Sequence, residues 1–446
     1  MDHSKSQAGA SLPSTVISLA GCTLHKSRAG GDPFLRGRLS MSLYLNDRAL
    51  DLSAQDAQAA LEEAHKTHTR IECRCTRPPQ EMYIAKIGAR FYVKRMPGTG
   101  PRHAPDCDAF EAPEHLSGLS ELNGTAIVES ADEGTTLLKL GFPLTKRRNQ
   151  AAPPPASGAT ATEAISNPKK MSLTALLHYL WHEADLVKWV PAMEGKRWWG
   201  VVCSALHRGL DSKIAKGLSL GDVVFIPEPF SVPRAVQLTE ERTRKFDQIA
   251  RMSTGGTSVG ILIAEYKTHQ PSIYGSKFTF KHIPDCSFFA DADLTKRFNR
   301  VFEEQLILAN MVDGAMPIAI ATFTMTKAGY PALQTIGMIL VTREFLPFEH
   351  VKEAKLLETL VSQKRRFIKQ QRFNLPSDAT IASVLLSDTE NPIAMFVTPP
   401  GASDETIRDI QTALQEEDYP HWIWGNEVVM PTIAAPRSRH GGGTPA

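Results

Sequence analysis

The chain has 446 residues, more than one hydrophobic core usually organises, so two or three structural units are expected and a single small module is excluded. With 42% hydrophobic and 22% charged residues, and with 30 Gly and 30 Pro, it is neither fibrous nor wholly disordered. Its 50 Lys+Arg against 48 Asp+Glu leave +2, so any attraction to nucleic acid has to come from a local patch.

Residues 1–37 are rich in Ser, Gly and Ala and read as a flexible arm. Within it Leu19-Ala20-Gly21-Cys22 has the form of a bacterial lipoprotein cleavage site, but Ser11, Pro13, Ser14, Thr15 and Ser18 dilute the apolar run that an export signal needs. The apolar runs Val259 to Ala264, Ile318 to Phe323 and Gly337 to Val341 are too short to span a bilayer, so no membrane partner is expected. Cysteines spaced as metal ligands favour the cytoplasm.

Residues 38–145 are expected to form a β-rich domain. Leu39 to Leu45 alternates like a strand, and Asp56 to His65 reads as a helix. Met82 to Ile87 and Arg90 to Arg95 flank Gly88-Ala89 as a hairpin with a II′-type turn. Residues 146–168, with Pro153-Pro154-Pro155 among Ala, Ser and Thr, predict a stiff linker. In 169–236, Leu173, Leu176, Leu177, Leu180 and Trp181 fall at helical spacing. Val201 to Leu210 predicts a second helix and Leu220 to Ile226 a strand, an order compatible with a winged-helix shape. Residues 237–435 open on a helix from Thr239 to Met252, with Thr239 as its cap. Strands at 259–266, 277–282, 317–325, 335–342, 381–386, 393–398 and 421–424 follow, with helices near 292–309, 349–362 and 404–415. Successive strands without intervening helices imply antiparallel pairs. The tail 436–446 is expected to be disordered. The fold class is therefore α+β and multidomain: a small zinc-stapled β-hairpin module, a helical segment, and a mixed, largely antiparallel α+β domain.

The strongest chemical signal is Cys73-x-Cys75, the hairpin, then His103-x-x-x-Cys107. Alternate residues of an extended strand share a side, so both early thiolates can face one ion, and the hairpin returns the chain to them. Pro105 is placed to begin a short helix carrying Cys107 in its first turn. Three cysteines and a histidine complete a tetrahedral structural Zn2+ site with no position left for water. Arg74, Arg77, Lys94, Arg95 and Arg102 are near enough in sequence to offset its net negative charge.

With Met82-Tyr83-Ile84 and Arg95-Met96-Pro97-Gly98-Thr99-Gly100 added to this cysteine and histidine pattern, the chain resembles domain-of-unknown-function family 1173. Lys281-His282-Ile283-Pro284-Asp285, Phe367-Ile368-Lys369 with Arg372-Phe373-Asn374-Leu375-Pro376, and Trp422-x-Trp424 extend the resemblance over nearly the whole length. It implies a bacterial protein encoded on a mobile, integrative and conjugative element, and no defined activity. Gln370-Gln371 and Phe373 depart from the family's less polar stretch and tyrosine.

Three further groups invite a function. Glu265-x-Lys267 ends an apolar strand in the manner of restriction-type nucleases, where a carboxylate holds Mg2+ and a lysine orients water. Such a site needs a second carboxylate, and Asp285, Asp291 and Asp293 come downstream of the pair, not upstream as usual. Lys364, Arg365, Arg366, Lys369 and Arg372, interleaved with Phe367 and Phe373, can be read as a phosphate-binding strip or as the solvated end of a helix, and Lys196-Arg197-Trp198-Trp199 can extend it. His282 and Cys286 form half of a metal pattern without a Cys-x-Cys. No phosphate loop, serine-hydrolase elbow or dinucleotide fingerprint is present, so no small-molecule cofactor is implied. The expected function is that of a zinc-binding accessory protein contacting DNA, RNA or a mobile-element protein; a Mg2+-dependent nuclease and a protein adaptor are the alternatives.

Overall fold

The computed structural model describes residues 42–437 except 88, 132, 148–168, 254, 274, 377–378, 400, 404–406, 409 and 413–419. The arm 1–37, the lipoprotein-like stretch, the turn residue Gly88, most of the linker, much of the expected helix 404–415 and most of the tail lie outside them. The class is mixed α+β, as the alternation of periods predicts.

The N-terminal part is a five-stranded antiparallel sheet in the order Arg48–Ala49, Leu43–Leu45, Ile71–Cys73, Gln80–Ile87, Arg90–Arg95. Helix α1 (Ala57–Lys66) lies against the last two strands and buries Ala57, Leu61 and Ala64, one face at i, i+4 and i+7. Leu43, Leu61, Ile71, Met82 and Phe91 form its small core, and Cys73 and Cys107 are part of it.

Segment 169–236 builds α2 (Leu173–Glu183), α3 (Trp199–Leu210) and the single turn α4 (Leu220–Val223). Ser172 caps α2 by accepting from the Ala175 amide at 3.1 Å. The winged-helix order is not what forms, because the strands of this segment are shared out among sheets. Lys188–Trp189 joins the last sheet; Lys213–Ala215 lies parallel to Thr135–Leu138; Val224–Phe225 lies parallel to Gly260–Ser272. The expected strand Leu220 to Ile226 is therefore extended only over its second half. Thr145–Arg147, at the expected start of the linker, pairs with Gly256–Ser258.

Helix α5 (Ala235–Arg251) begins four residues before the expected cap. Thr239 lies inside it, its hydroxyl bonded to the Ala235 carbonyl at 2.9 Å. The largest sheet curls until Met316–Met325 pairs with both Pro331–Val341 and Gly260–Ser272. Helix α6 (Ala292–Met311) covers it, and Phe246, Phe278, Phe288, Phe298 and Phe323 meet edge to face or tilted beneath. The final sheet runs His421–Trp424, Ile393–Val397, Val384–Leu386, Phe367–Lys369, Lys188–Trp189, with helix α7 (Val351–Ser362) packing Leu356, Leu357 and Leu360 into the same core. One apolar core runs from Phe110 and Leu144 through Trp181 and Leu206 to Ile320 and Phe396, so the middle of the chain is built into both of its neighbours.

Candidate metal centre

Cys73 closes the strand Ile71–Cys73, paired across to Leu43 on one side and Gln80 on the other, and is fully buried. Cys75 follows in the turn. On the far side of the hairpin a single 3-10 turn, Gly100–Arg102, delivers His103 in extended conformation. No helix begins at Pro105. Two successive turns form instead, with Cys107 N–H donating to Ala104 O at 2.8 Å and Phe110 N–H to Cys107 O at 3.0 Å, and they aim Cys107 back at Cys73.

The four ligand atoms lie within 4.8 Å of one another, and among the described residues no other such group of three or more His, Cys, Asp or Glu occurs. Cys73 Sγ is 3.6 Å from Cys107 Sγ, and His103 Nδ1 is 3.4 Å from Cys75 Sγ and 3.8 Å from Cys107 Sγ. Ligands at tetrahedral angles and ordinary zinc bond lengths would stand about 3.4–3.8 Å apart, so the spacing fits a dication at the centre. The histidine faces the thiols through Nδ1, while its Nε2 is buried without a partner. The Ala104 amide points at Cys75 Sγ at 3.5 Å, a donor suited to thiolate charge. Without a cation the thiols cannot ionise together: hydrogen bonding from Cys107 pulls the Cys73 thiol down, and the same bond with burial pushes Cys107 up. The arginines expected to balance this charge are partly committed elsewhere, Arg74 to Asp47 and Glu72 and Arg95 to Glu111 at 2.5 Å.

The loop bearing His103 and Cys107 is held by three cations. Arg366 Nη1 donates to Asp106 O at 3.3 Å, Lys188 Nζ to Asp108 O at 3.1 Å, and Arg437 Nη2 stands 3.4 Å from Asp106 Oδ2. Arg437 N–H also donates to Asp388 O at 2.7 Å, so one residue near the C-terminus touches both the metal loop and the bend that follows strand Val384–Leu386.

A family model described as a protein of unknown function, DUF1173, matches residues 44–427, which include all four ligand positions. The chain belongs to the DUF1173 family. Comparison of this DUF1173 chain with curated proteins and with solved structures found no match.

The nuclease constellation does not assemble. A β-bulge between Tyr266 and Thr268 breaks the i, i+2 relation, leaving Glu265 buried and Lys267 exposed. Glu265 is paired with Lys281, not Lys267. Asp285 accepts from Arg242 at 2.6 and 2.9 Å and from Thr239 Oγ1 at 2.7 Å, and Asp291 Oδ1 caps α6 through the Leu294 amide at 2.7 Å, with Asp293 in that helix's first turn.

Nor is the basic strip a solvated surface. Helix α7 ends at Ser362, and the next residues turn inward as the strand Phe367–Lys369. Arg365, 2% exposed, forms a two-pronged pair with Asp388 at 2.7 and 2.9 Å; Lys369, 3% exposed, pairs with Glu353 at 2.9 Å; Arg372 pairs with Glu349 at 2.8 Å. Of the five cations only Lys364 is exposed. Arg197 is likewise interior, donating to Leu186 O at 2.9 Å above the Trp189 ring, with Trp199 buried and Trp198 exposed. His282 stacks on Trp199 at 5.7 Å and accepts the Phe230 amide at 3.2 Å, so it is no half-site with Cys286.

Sequence reasoning missed the charged group between the N-terminal sheet and α2. Glu111 binds Arg95 and, at 3.3 Å, His182; Glu183 binds Lys213, itself 3.2 Å from Thr136 Oγ1. Isolated charges in half-apolar segments carry no spacing signal, and only the tertiary arrangement pairs them.

Proposed function

We propose that this protein is a structural-zinc scaffold whose Cys73, Cys75, His103 and Cys107 site fastens the N-terminal module to the rest of the molecule for the benefit of a protein partner. A closed Cys3His set has no open position for substrate and serves folding, not chemistry. The observation that carries the reading is the double attachment of the loop: Cys107 packs into the N-terminal core, while Arg366, Lys188 and Arg437, all from later in the chain, hold its backbone and Asp106. An accessory role of this kind also suits the mobile-element setting that the family resemblance implies. Binding of DNA or RNA would need a surface other than residues 364–372, whose charges are largely consumed internally.

Elemental analysis of the purified chain should give one zinc per molecule. Cys75→Ser should lose it, and chelation should raise amide exchange both in strand 71–73 and around Arg437. Full zinc retention by Cys75→Ser, or a response confined to the N-terminal module, would overturn the reading.

A further inference from the structure

Beneath the N-terminal half of α5 lies a cavity of about 340 Å3. The helix presents Ala235, Leu238, Thr239, Arg242 and Lys245 to it, one face at spacings of three and four. The opposite wall is the stretch Val224 to Phe230, and the turn His282-Ile283 with Asp285 closes one end. Of the helix's residues only Phe246 and Ile249, past the cavity, are fully buried, so its first half is tethered over the space by polar contacts and not packed into it.

The lining combines an apolar body of wall with an uneven set of charges. Two of its carboxylates are balanced by cations, Asp285 by Arg242 and Glu228 by Arg234 at 2.8 Å, while Glu241 is held only by the neutral Gln237 amide at 2.8 Å. Lys245 is the lining cation that forms no ion pair among the described residues: its ammonium donates to the Gly221 carbonyl at 2.7 Å, and the charge of nearby Asp222 reaches it without direct contact. His207 also lines the cavity, close enough for the lysine charge to act on its ring. His282 accepts the Phe230 amide on Nδ1, which leaves Nε2 as the protonated, donating nitrogen of the neutral ring, and its stack on Trp199 fixes the plane.

A concave, mostly apolar space with a few convergent donors is the usual form of a small-molecule site. We propose that this cavity binds a small organic anion, its carboxylate or phosphate head on Lys245 with His207 and His282 as neighbouring donors, and its apolar body against Phe225, Ile226 and Leu238. The site is independent of the metal centre, so either can fail alone.

The test uses 8-anilinonaphthalene-1-sulfonate, an apolar two-ring anion with a fluorescence readout, titrated into the full zinc-loaded chain. One saturable site per chain is expected, weakened by salt. Lys245→Gln should weaken binding about ten-fold or more, as loss of a charge-assisted hydrogen bond does. Leu238→Trp should abolish it by filling the space, while Arg244→Gln, on the solvent side of the same helix, should bind as wild type. Circular dichroism and melting curves confirm that each variant is folded. No saturable binding by the wild type, or equal binding by folded Lys245→Gln and wild type, overturns the proposal.

Discussion

Single side chains decide most of what this chain can do, and the contrast between neighbouring cations shows how. Lys364 and Arg365 are adjacent, yet one is in water and the other forms a buried two-pronged pair with Asp388. Truncating a buried partner strands the opposite charge, so Arg365→Ala should cost about 3 kcal/mol or more, and Lys364→Ala no more than about 0.5 kcal/mol. Urea unfolding of the two variants measures the difference, and equal costs would show that Arg365 is not structural. The Glu111 and His182 pair supplies a pH signature. Burial alone would raise the Glu111 carboxyl, but Arg95 and His182 hold it below its ordinary 4.5; burial alone would lower His182, but Glu111 holds it above 6.5. The carboxylate's contribution is present above pH 4.5 and lost as pH falls through its folded value. The imidazolium's is complete below pH 6.5 and lost as pH rises through its own. The stability gap between wild type and His182→Gln should therefore be widest between about pH 5 and 6.5 and shrink on the alkaline side. A gap that stays constant to pH 9 would refute the pairing.

At the scale of elements, periodicity made much of the architecture legible. α6, α7 and the paired strands Gln80–Ile87 and Arg90–Arg95 lie within a few residues of where apolar spacing puts them, because each buries one face against a neighbour. The clustering of Cys73, Cys75, His103 and Cys107 was legible for the same local reason: strand, hairpin and return are encoded within 35 residues. The bulge at Tyr266–Thr268 was not, since nothing in Glu265-Tyr266-Lys267 distinguishes a regular strand from one whose partner register slips. The inward turn of residues 365–372 was hidden too, because their counter-charges Asp388, Glu353 and Glu349 lie 16 to 23 positions away. Close backbone approaches are equally silent. A Cβ added at Gly118 would stand 2.0 Å from the Arg372 carbonyl oxygen, against a bond from Gly118 N–H to Gln371 O at 3.0 Å. Gly118→Ala should force these segments apart at a cost of about 2 kcal/mol, by the overpacking argument. Thermal unfolding reads this directly, and an unchanged melting temperature would mean the contact yields freely.

Across the whole molecule, the sheets are joined by distant stretches of chain. Thr145–Arg147 pairs with Gly256–Ser258, and Lys188–Trp189 with Phe367–Lys369, so two of the sheets cannot close until residues more than a hundred positions apart have met. The N-terminal sheet differs, because every strand from Leu43 to Arg95 pairs with one nearby and the cysteine and histidine cluster ends at Cys107. During synthesis this segment can fold while later parts are still inside the ribosome, whereas Trp189 must wait uncovered until Phe367 emerges. The vulnerable interval in the life of this chain is thus the translation of the stretch between Trp189 and Phe367, when buried tryptophans of the finished protein are exposed to chaperones and to one another.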